Sequence, residues 1–449
     1  MVTNNSQAPL QSSGIRLDPE LPICQTDLPL DWYQSEFKPY AEEYLALADR
    51  KPASVLPWLD SYVRPALEHF GDQLLLVAHY YMGGEIVKLV ERYGGTVADS
   101  YQLALTATRH PEKKVIVESA VHFMAEAIAI LARDDQAVWI TNPKAGCTME
   151  MLAKDYMVLP VAEQMVERYG ERLCVIAYMN TSGRLKALAG KTGGAVCTSS
   201  NAARVVQWAL KQDKKVFFVP DQHLGRNVAE QIGLDQKRVV ALRDPQVLRG
   251  GFKFDDSAAV GGLAALDRAQ MILWGSFCGV HTIFEPAHVR YWQERGYRVL
   301  VHPESKLEVV QAADGAGSTN YLWDAMLHAP RGARLAIGTE GHFVRNAREQ
   351  GRLRDVEVVH LADIPDPKFK IAGCGCATMS RNDPPHLAGM LDLLRRGTPP
   401  AANRVLAGDA VDEKSGARDR LSPEDRSELV LQARLALERM IAITESVKD

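Results

Sequence analysis

Seven cysteines are scattered through the chain, at positions 24, 147, 174, 197, 278, 374 and 376, and the last two stand one residue apart in KIAGCGCATMSRN, residues 370–382. A zinc knuckle or a thioredoxin-type redox pair calls for C-x-x-C, and a disulfide between Cys374 and Cys376 is strained at this spacing. An odd and sparse set does not build a secreted disulfide framework, so reduced thiols are expected. Cys174, inside RLCVIAY, reads as a small buried hydrophobe. The chemistry left for the C-G-C pair is that of one thiolate working with cysteines from elsewhere in the chain.

The elements that must bring such residues together show a repeat. Short Val/Ile/Leu runs alternate with helical patterns, as in parallel α/β units. Three times a run ends in a polar cluster: LLLVAHYY (74–81), CVIAYMNTS (174–182) and RVLVHPES (298–305). A small hydroxyl cluster before a helix follows each one: ADS (98–100), CTSSNA (197–202), GST (317–319). Next comes a run with a histidine near its end, VIVESAVHF, VFFVPDQHLG or LAIGTEGHF, and a fourth leads to a cysteine beside glycine. Cys147 and Cys278 are 131 positions apart, and Cys278 and Cys376 are 98 apart; a Gly-rich, strand-poor insertion at 236–267 accounts for the difference. The expected fold is α/β: three similar three-layer αβα domains with parallel sheets around a pseudo-threefold axis. Ligands of open α/β units sit beyond the carboxyl ends of the strands, where these polar clusters fall. The expected boundaries are an N-terminal extension (1–70), repeats at 71–150, 151–280 and 281–396, and a linker with a C-terminal helix (397–449). That helix starts at Ser422 and Pro423 and carries Leu429, Ala433, Ala436 and Met440 on one face.

Composition narrows the class of function. With 46% apolar and 24% charged residues and a formal charge of −4, the balance argues against a general binder of nucleic acid or anionic membrane, though not against a local basic patch. Its first residues, MVTNNSQAPLQSSG, have neither the basic nor the apolar part of a secretory signal, and no apolar run spans a bilayer. A cytoplasmic protein is expected.

Nine motifs in order, VAHYYMGGEI, VHFMAE, AGCTM, YMNTSGRLKA, CTSSNA, PDQHLGRNV, FCGVH, HPES and GST, resemble the quinolinate synthase family over about residues 74–390. The resemblance implies one 4Fe-4S cluster per chain at the centre of the three domains, held by Cys147, Cys278 and Cys376, with Cys374 only a neighbour. Thiolates suit such clusters, and three ligands leave one iron open as a Lewis acid. It also implies condensation of iminoaspartate with dihydroxyacetone phosphate to quinolinate, with loss of phosphate and two waters, in de novo NAD biosynthesis. The aspartate-oxidising enzyme is then an expected partner.

Within the matched motifs, Tyr81 and Glu304 resemble the general acid-base pair, while His79, Tyr178, Asn180 and His281 resemble substrate holders, His79 and His281 standing close to the chemistry. Ser100, Ser199, Ser318 and Thr319, at helix starts, offer donors to anionic substrates. His122, His223 and His342 echo one another and read as structural. The rival readings are another cluster-dependent dehydratase and a non-enzymatic iron-sulfur sensor; the dense polar loops speak against the latter.

Overall fold

The computed structural model describes residue 17 and residues 27–83, 85–243, 254–365, 375–411, 418–419 and 421–446. Cys374 lies outside them. The chain divides into two compact units, Met1–Ala145 with Ala377–Val405 and Asp412–Ala417, and Gly146–Cys376 with Leu406–Val411 and Arg418–Asp449.

The first unit holds one sheet, built of β1 (Leu74–His79), β2 (Thr96–Ala98), β3 (Val115–Ser119) and β4 (Ala137–Ile140), in the order β2-β1-β3-β4 and parallel throughout. The aromatic stretch before it packs on the helix Pro384–Arg395. Tyr33 stacks on His386 at 4.8 Å and donates to Asp383 at 2.5 Å, and Tyr40 donates to Asp392 at 2.8 Å. Gly389 leaves room for Phe37 and Tyr40, since a Cβ there would press on both rings.

Besides a two-stranded antiparallel pair, Ala410–Val411 with Arg418–Asp419, the described part of the second unit holds two larger sheets. One comprises β5 (Leu173–Tyr178), β6 (Ala195–Cys197), β7 (Lys215–Val219), β8 (Val239–Ala241) and β9 (Met271–Leu273), in the order β6-β5-β7-β9-β8. The other comprises β10 (Arg298–Val301), β11 (Gly315–Ala316), β12 (Arg334–Gly338) and β13 (Glu357–His360), in the order β11-β10-β12-β13. Both larger sheets are parallel, and β5 and β7 are buried along their whole length, which is why their sequences read as continuous apolar runs rather than alternating ones. The same order recurs three times, as expected of a repeat. The segment at 236–267, expected to be poor in strands, supplies β8 as an additional edge strand and the helix Gly262–Arg268.

In each sheet the chain passes from the first strand to one side and then to the other, so a switch point lies between strands one and three. Side chains just past those carboxyl ends face a crevice, the usual ligand position in open α/β sheets. In the second unit these are the residues after β5, β7, β10 and β12. The helix Pro423–Glu445, capped by Ser422, docks on the second unit and buries Leu429, Ala433, Ala436, Leu437 and Met440. Among the described residues no helix is long and apolar enough to cross a membrane.

Candidate active site and thiol centre

Cys147, Cys278 and Cys376 follow the fourth strands β4, β9 and β13 of their repeats, and all three are buried in the second unit and joined in no disulfide. Their ionisations are coupled. Burial pushes the Cys147 thiol up and the Cys376 charge adds to it; burial also pushes Cys278 well up, with Glu304, Cys147 and Cys376 all opposing its thiolate. The thiolate charge of Cys376 thus opposes ionisation of both other cysteines, and that of Cys147 opposes ionisation of Cys278. Three buried thiols that oppose one another's charge are a donor set that suits a soft, positively charged metal centre.

Two of the cysteines are held by buried carboxylates. Asp221, just past β7, caps the helix Gln222–Gln231: one oxygen accepts from Leu224 N–H at 2.6 Å, the other from the backbone N–H of Cys278 at 3.1 Å. Burial and the Glu304 charge push the Asp221 carboxyl up, and the N–H groups of Leu224, Cys278 and His223 pull against that. Glu340, just past β12, caps the helix Gly341–Arg352 and accepts from Cys376 N–H at 3.0 Å. Cys147 itself occupies the N-cap of the short helix Thr148–Met151, and its sulfur lies 3.8 Å from the Asn180 side-chain nitrogen, a weak donor contact.

Around Cys278 the polar residues close into a network. His281 Nδ1 is 3.1 Å from the Cys278 sulfur and 2.8 Å from Glu304 Oε2, while its Nε2 meets Thr339 Oγ1 at 3.0 Å. Tyr178, the last residue of β5, donates to Glu304 Oε1 at 2.6 Å. His302 stacks on His281 at 4.6 Å. Burial works to raise the Glu304 carboxyl, but the charges of His302 and His281 and the hydrogen bonds from His281 and Tyr178 outweigh it, so Glu304 sits well below the usual carboxylate range. The Cys278, His281 and Glu304 donors all lie within 4.8 Å of one another. As ligands of one tetrahedral ion with bonds of about 2 Å, two such donors would stand about 3.3 Å apart. The 2.8 Å between His281 and Glu304 is a hydrogen bond instead.

A cavity of about 630 Å³, which Pro303 in the HPES motif joins in lining, is bordered by Ser199, Ser200, Ser318, Asn227 and Asp324 among others. Ser318 caps the helix Thr319–Leu327 through Tyr321 N–H, and Thr319 is buried as its first residue. Ser199 lies in the turn before the helix Ala202–Leu210, whose N-cap position belongs to Asn201. Asn227 donates to the carbonyls of Pro303 and Ser305, both at 2.7 Å, and its own oxygen is buried without a hydrogen-bond partner.

His79, Tyr81 and Ser100 belong to the first unit. His79 ends β1, buried, and accepts from Tyr81 N–H at 3.2 Å, with the two rings edge to face. Asp99 rather than Ser100 caps the helix Ser100–Ala104. The sequence reading names Glu304 within HPES but passes over His302 two residues earlier, and it does not find Asp221, Thr339 or Glu340. His302 could have been found from its motif. The two carboxylates carry only an N-cap signal, which says nothing of a second partner.

Residues 65–411 match the model of the family described as Quinolinate synthetase A protein. The chain belongs to that family. It is similar to the quinolinate synthase of Streptomyces coelicolor, 37% identical over 428 residues, covering 94% of this chain and 98% of the relative. That of Geobacillus kaustophilus is 37% identical over 369 residues, 81% and 92% of the two chains, and that of Corynebacterium glutamicum 35% over 407, 90% of each. Membership in this enzyme family covers nearly all the elements described, from the helix before β1 to the segment after the helix Pro384–Arg395.

Proposed function

We propose that this chain condenses iminoaspartate with dihydroxyacetone phosphate to quinolinate, releasing phosphate and two waters, as a cytoplasmic step of NAD biosynthesis. The observation that carries the reading is the gathering of three buried thiols in one unit, with the Tyr178–Glu304–His281 network touching one of them. Cys147, Cys278 and Cys376 are the residues that would hold a 4Fe-4S cluster, which when bound supplies a Lewis-acidic iron left open by three-cysteine ligation.

The protein's own groups divide the remaining work. Glu304 is the proton acceptor. Bound by Tyr178 and His281 it is a weak base, so a substrate that displaces the Tyr178 hydroxyl both takes over that donor and restores basicity to the carboxylate. His281, oriented by Thr339, passes a proton between Glu304 and substrate, and the Asn180 amide orients a substrate oxygen. Ser199, Ser318 and Thr319 hold anionic groups at two helix starts. From the first unit, Tyr81 is assigned as the general acid, and His79 and Ser100 as substrate contacts; the family resemblance supports these three. Handover of the labile imine from an aspartate-oxidising enzyme belongs to the same proposal.

The test is anaerobic preparation with iron and sulfide supplied. Wild type should carry about four irons and four sulfides per chain and form quinolinate from the two substrates. Cys147→Ala, Cys278→Ala and Cys376→Ala should lose iron, Cys374→Ala should keep it, and Glu304→Gln should keep iron while turnover falls roughly 100-fold or more. A single tightly held zinc, or a Cys374→Ala protein as iron-poor as Cys376→Ala, would overturn the ligand assignment. A loaded protein that turns over another hydroxy acid and not these substrates would favour a different dehydratase.

A further inference from the structure

The C-terminal helix Pro423–Glu445 is tied to both ends of one short strand. Before β6, Arg439 donates to the carbonyl of Gly194. After it, the Asn201 amide nitrogen donates to Thr444 Oγ1 at 2.9 Å, and Arg204 donates to the Thr444 carbonyl at 3.2 Å. The helix is seated closely enough for this because Gly190 has no side chain; a Cβ there would run into the Gln432 carbonyl. At its other end Arg426 donates to Asp409 at 2.8 Å, so neither end of the helix is loose.

What Asn201 does with its other side-chain atom gives the helix a bearing on the site. Asn201 is 1% exposed, and its oxygen accepts from Thr198 N–H at 2.7 Å, closing the turn Thr198–Ser200 on itself. Thr198 and Ser200 are joined within that turn by a hydroxyl contact of 2.8 Å. Ser199 and Ser200 line the 630 Å³ cavity. At the end of β6, Cys197 pairs in register with Tyr178, whose hydroxyl holds Glu304. This buried amide has a single orientation, because flipping it would set its NH₂ against the Thr198 N–H, while the Thr444 hydroxyl, already donating to the Met440 carbonyl at 2.7 Å, is left to accept.

We propose that Thr444 is a positioning residue for the substrate site: through Asn201 it sets the turn that presents Ser199 and Ser200 to the cavity, and the C-terminal helix is thereby part of the binding machinery. The consequence for substrate rests on the function proposed above, whereas the consequence for the turn does not.

The experiment compares Thr444→Val, which keeps shape and loses the hydroxyl, with Thr444→Ser, which keeps the hydroxyl. Hydrogen exchange followed by mass spectrometry should show the amides of Thr198–Asn201 exchanging roughly 3- to 10-fold faster in Thr444→Val, the scale of one lost hydrogen bond, and at the wild-type rate in Thr444→Ser. In steady-state assays with iron content matched, KM for iminoaspartate or dihydroxyacetone phosphate should rise by a similar factor in Thr444→Val with kcat unaltered, and return in Thr444→Ser. Unchanged exchange at these amides overturns the proposal whatever the kinetics. Faster exchange with both KM values unaltered overturns the link to substrate, and faster exchange throughout the second unit that serine does not restore marks Thr444 as merely structural. If wild type forms no quinolinate, the assigned reaction fails while the exchange measurement still decides the role of Thr444.

Discussion

Val121, Asp221 and Glu340 occupy the same station in the three repeats, two residues beyond the third strand and at the N-cap of the helix that follows. In the second and third repeats the residue is a buried carboxylate that caps the helix and also accepts from the backbone of a cysteine after the fourth strand. In the first it is a valine with no side-chain cap, and the cysteine of that repeat, Cys147, begins a helix of its own. Repetition has preserved the backbone and not the means of fixing the cysteine. Two of the three loops are held through a neighbouring crossover connection, so their geometry depends on a residue more than thirty positions away in sequence.

The largest effect that tests this contrast is Asp221→Ala. It removes a cap, worth about 1 kcal/mol, and strands the buried N–H of Cys278 at a further 1–3 kcal/mol, so unfolding free energy measured by denaturant titration should fall by roughly 2–4 kcal/mol. A loss under about 1 kcal/mol would mean that the carboxylate is not holding the cysteine loop. Glu340→Gln should cost less, roughly 1–2 kcal/mol, because the amide oxygen still accepts while its NH₂ faces a donor. An equal loss in the two variants would erase the distinction between removing the acceptor and weakening it.

A smaller and pH-dependent effect separates Lys215 from Arg334, the first residues of β7 and β12. Lys215 donates to the carbonyls of Leu266, Asp267 and Ala269 at the end of the inserted helix, whereas Arg334 is exposed beside Glu357. Burial brings Lys215 down from 10.5 to about 8 against the pull of Asp267. Between those values the unfolded chain binds more protons than the folded one, so stability rises with pH across that window. The rise should be absent in Lys215→Met and present in Arg334→Met, as read by the difference in denaturation midpoint between pH 8 and 10. A rise unaltered by Lys215→Met would remove the lysine from the account.

Much of this architecture was legible because buried parallel strands leave a composition signature. The runs at 74–79, 173–178 and 298–301, and the hydroxyl and cysteine stations between them, mark the strand order before any coordinates are seen. The C-terminal helix, its cap at Ser422 and its apolar face were legible for the same reason, since period and capping are local properties. What escaped was nonlocal. An aspartate or glutamate ahead of a helix announces a cap, and nothing in its neighbourhood tells that its second oxygen reaches a cysteine amide 57 positions on, as Asp221 does for Cys278. The strand β8 was hidden inside a Gly-rich insertion, because three residues of edge strand carry too little pattern to be read. His302 was missed because its neighbour Glu304 fills the motif's more obvious chemical role.

Tyr33 and Tyr40 meet Asp383 and Asp392 across about 350 positions of chain. In time rather than space, the aromatic stretch near the start is among the first parts to leave the ribosome and must wait for a helix made near the end. At synthesis rates of roughly 5–20 residues per second that wait is roughly 20–70 s. During it the rings of Tyr33, Phe37 and Tyr40 lack their final cover, and contacts so distant in sequence form slowly even once both partners exist. A cell making this protein therefore carries, for most of each round of synthesis, a first sheet that is complete beside an aromatic surface that is not.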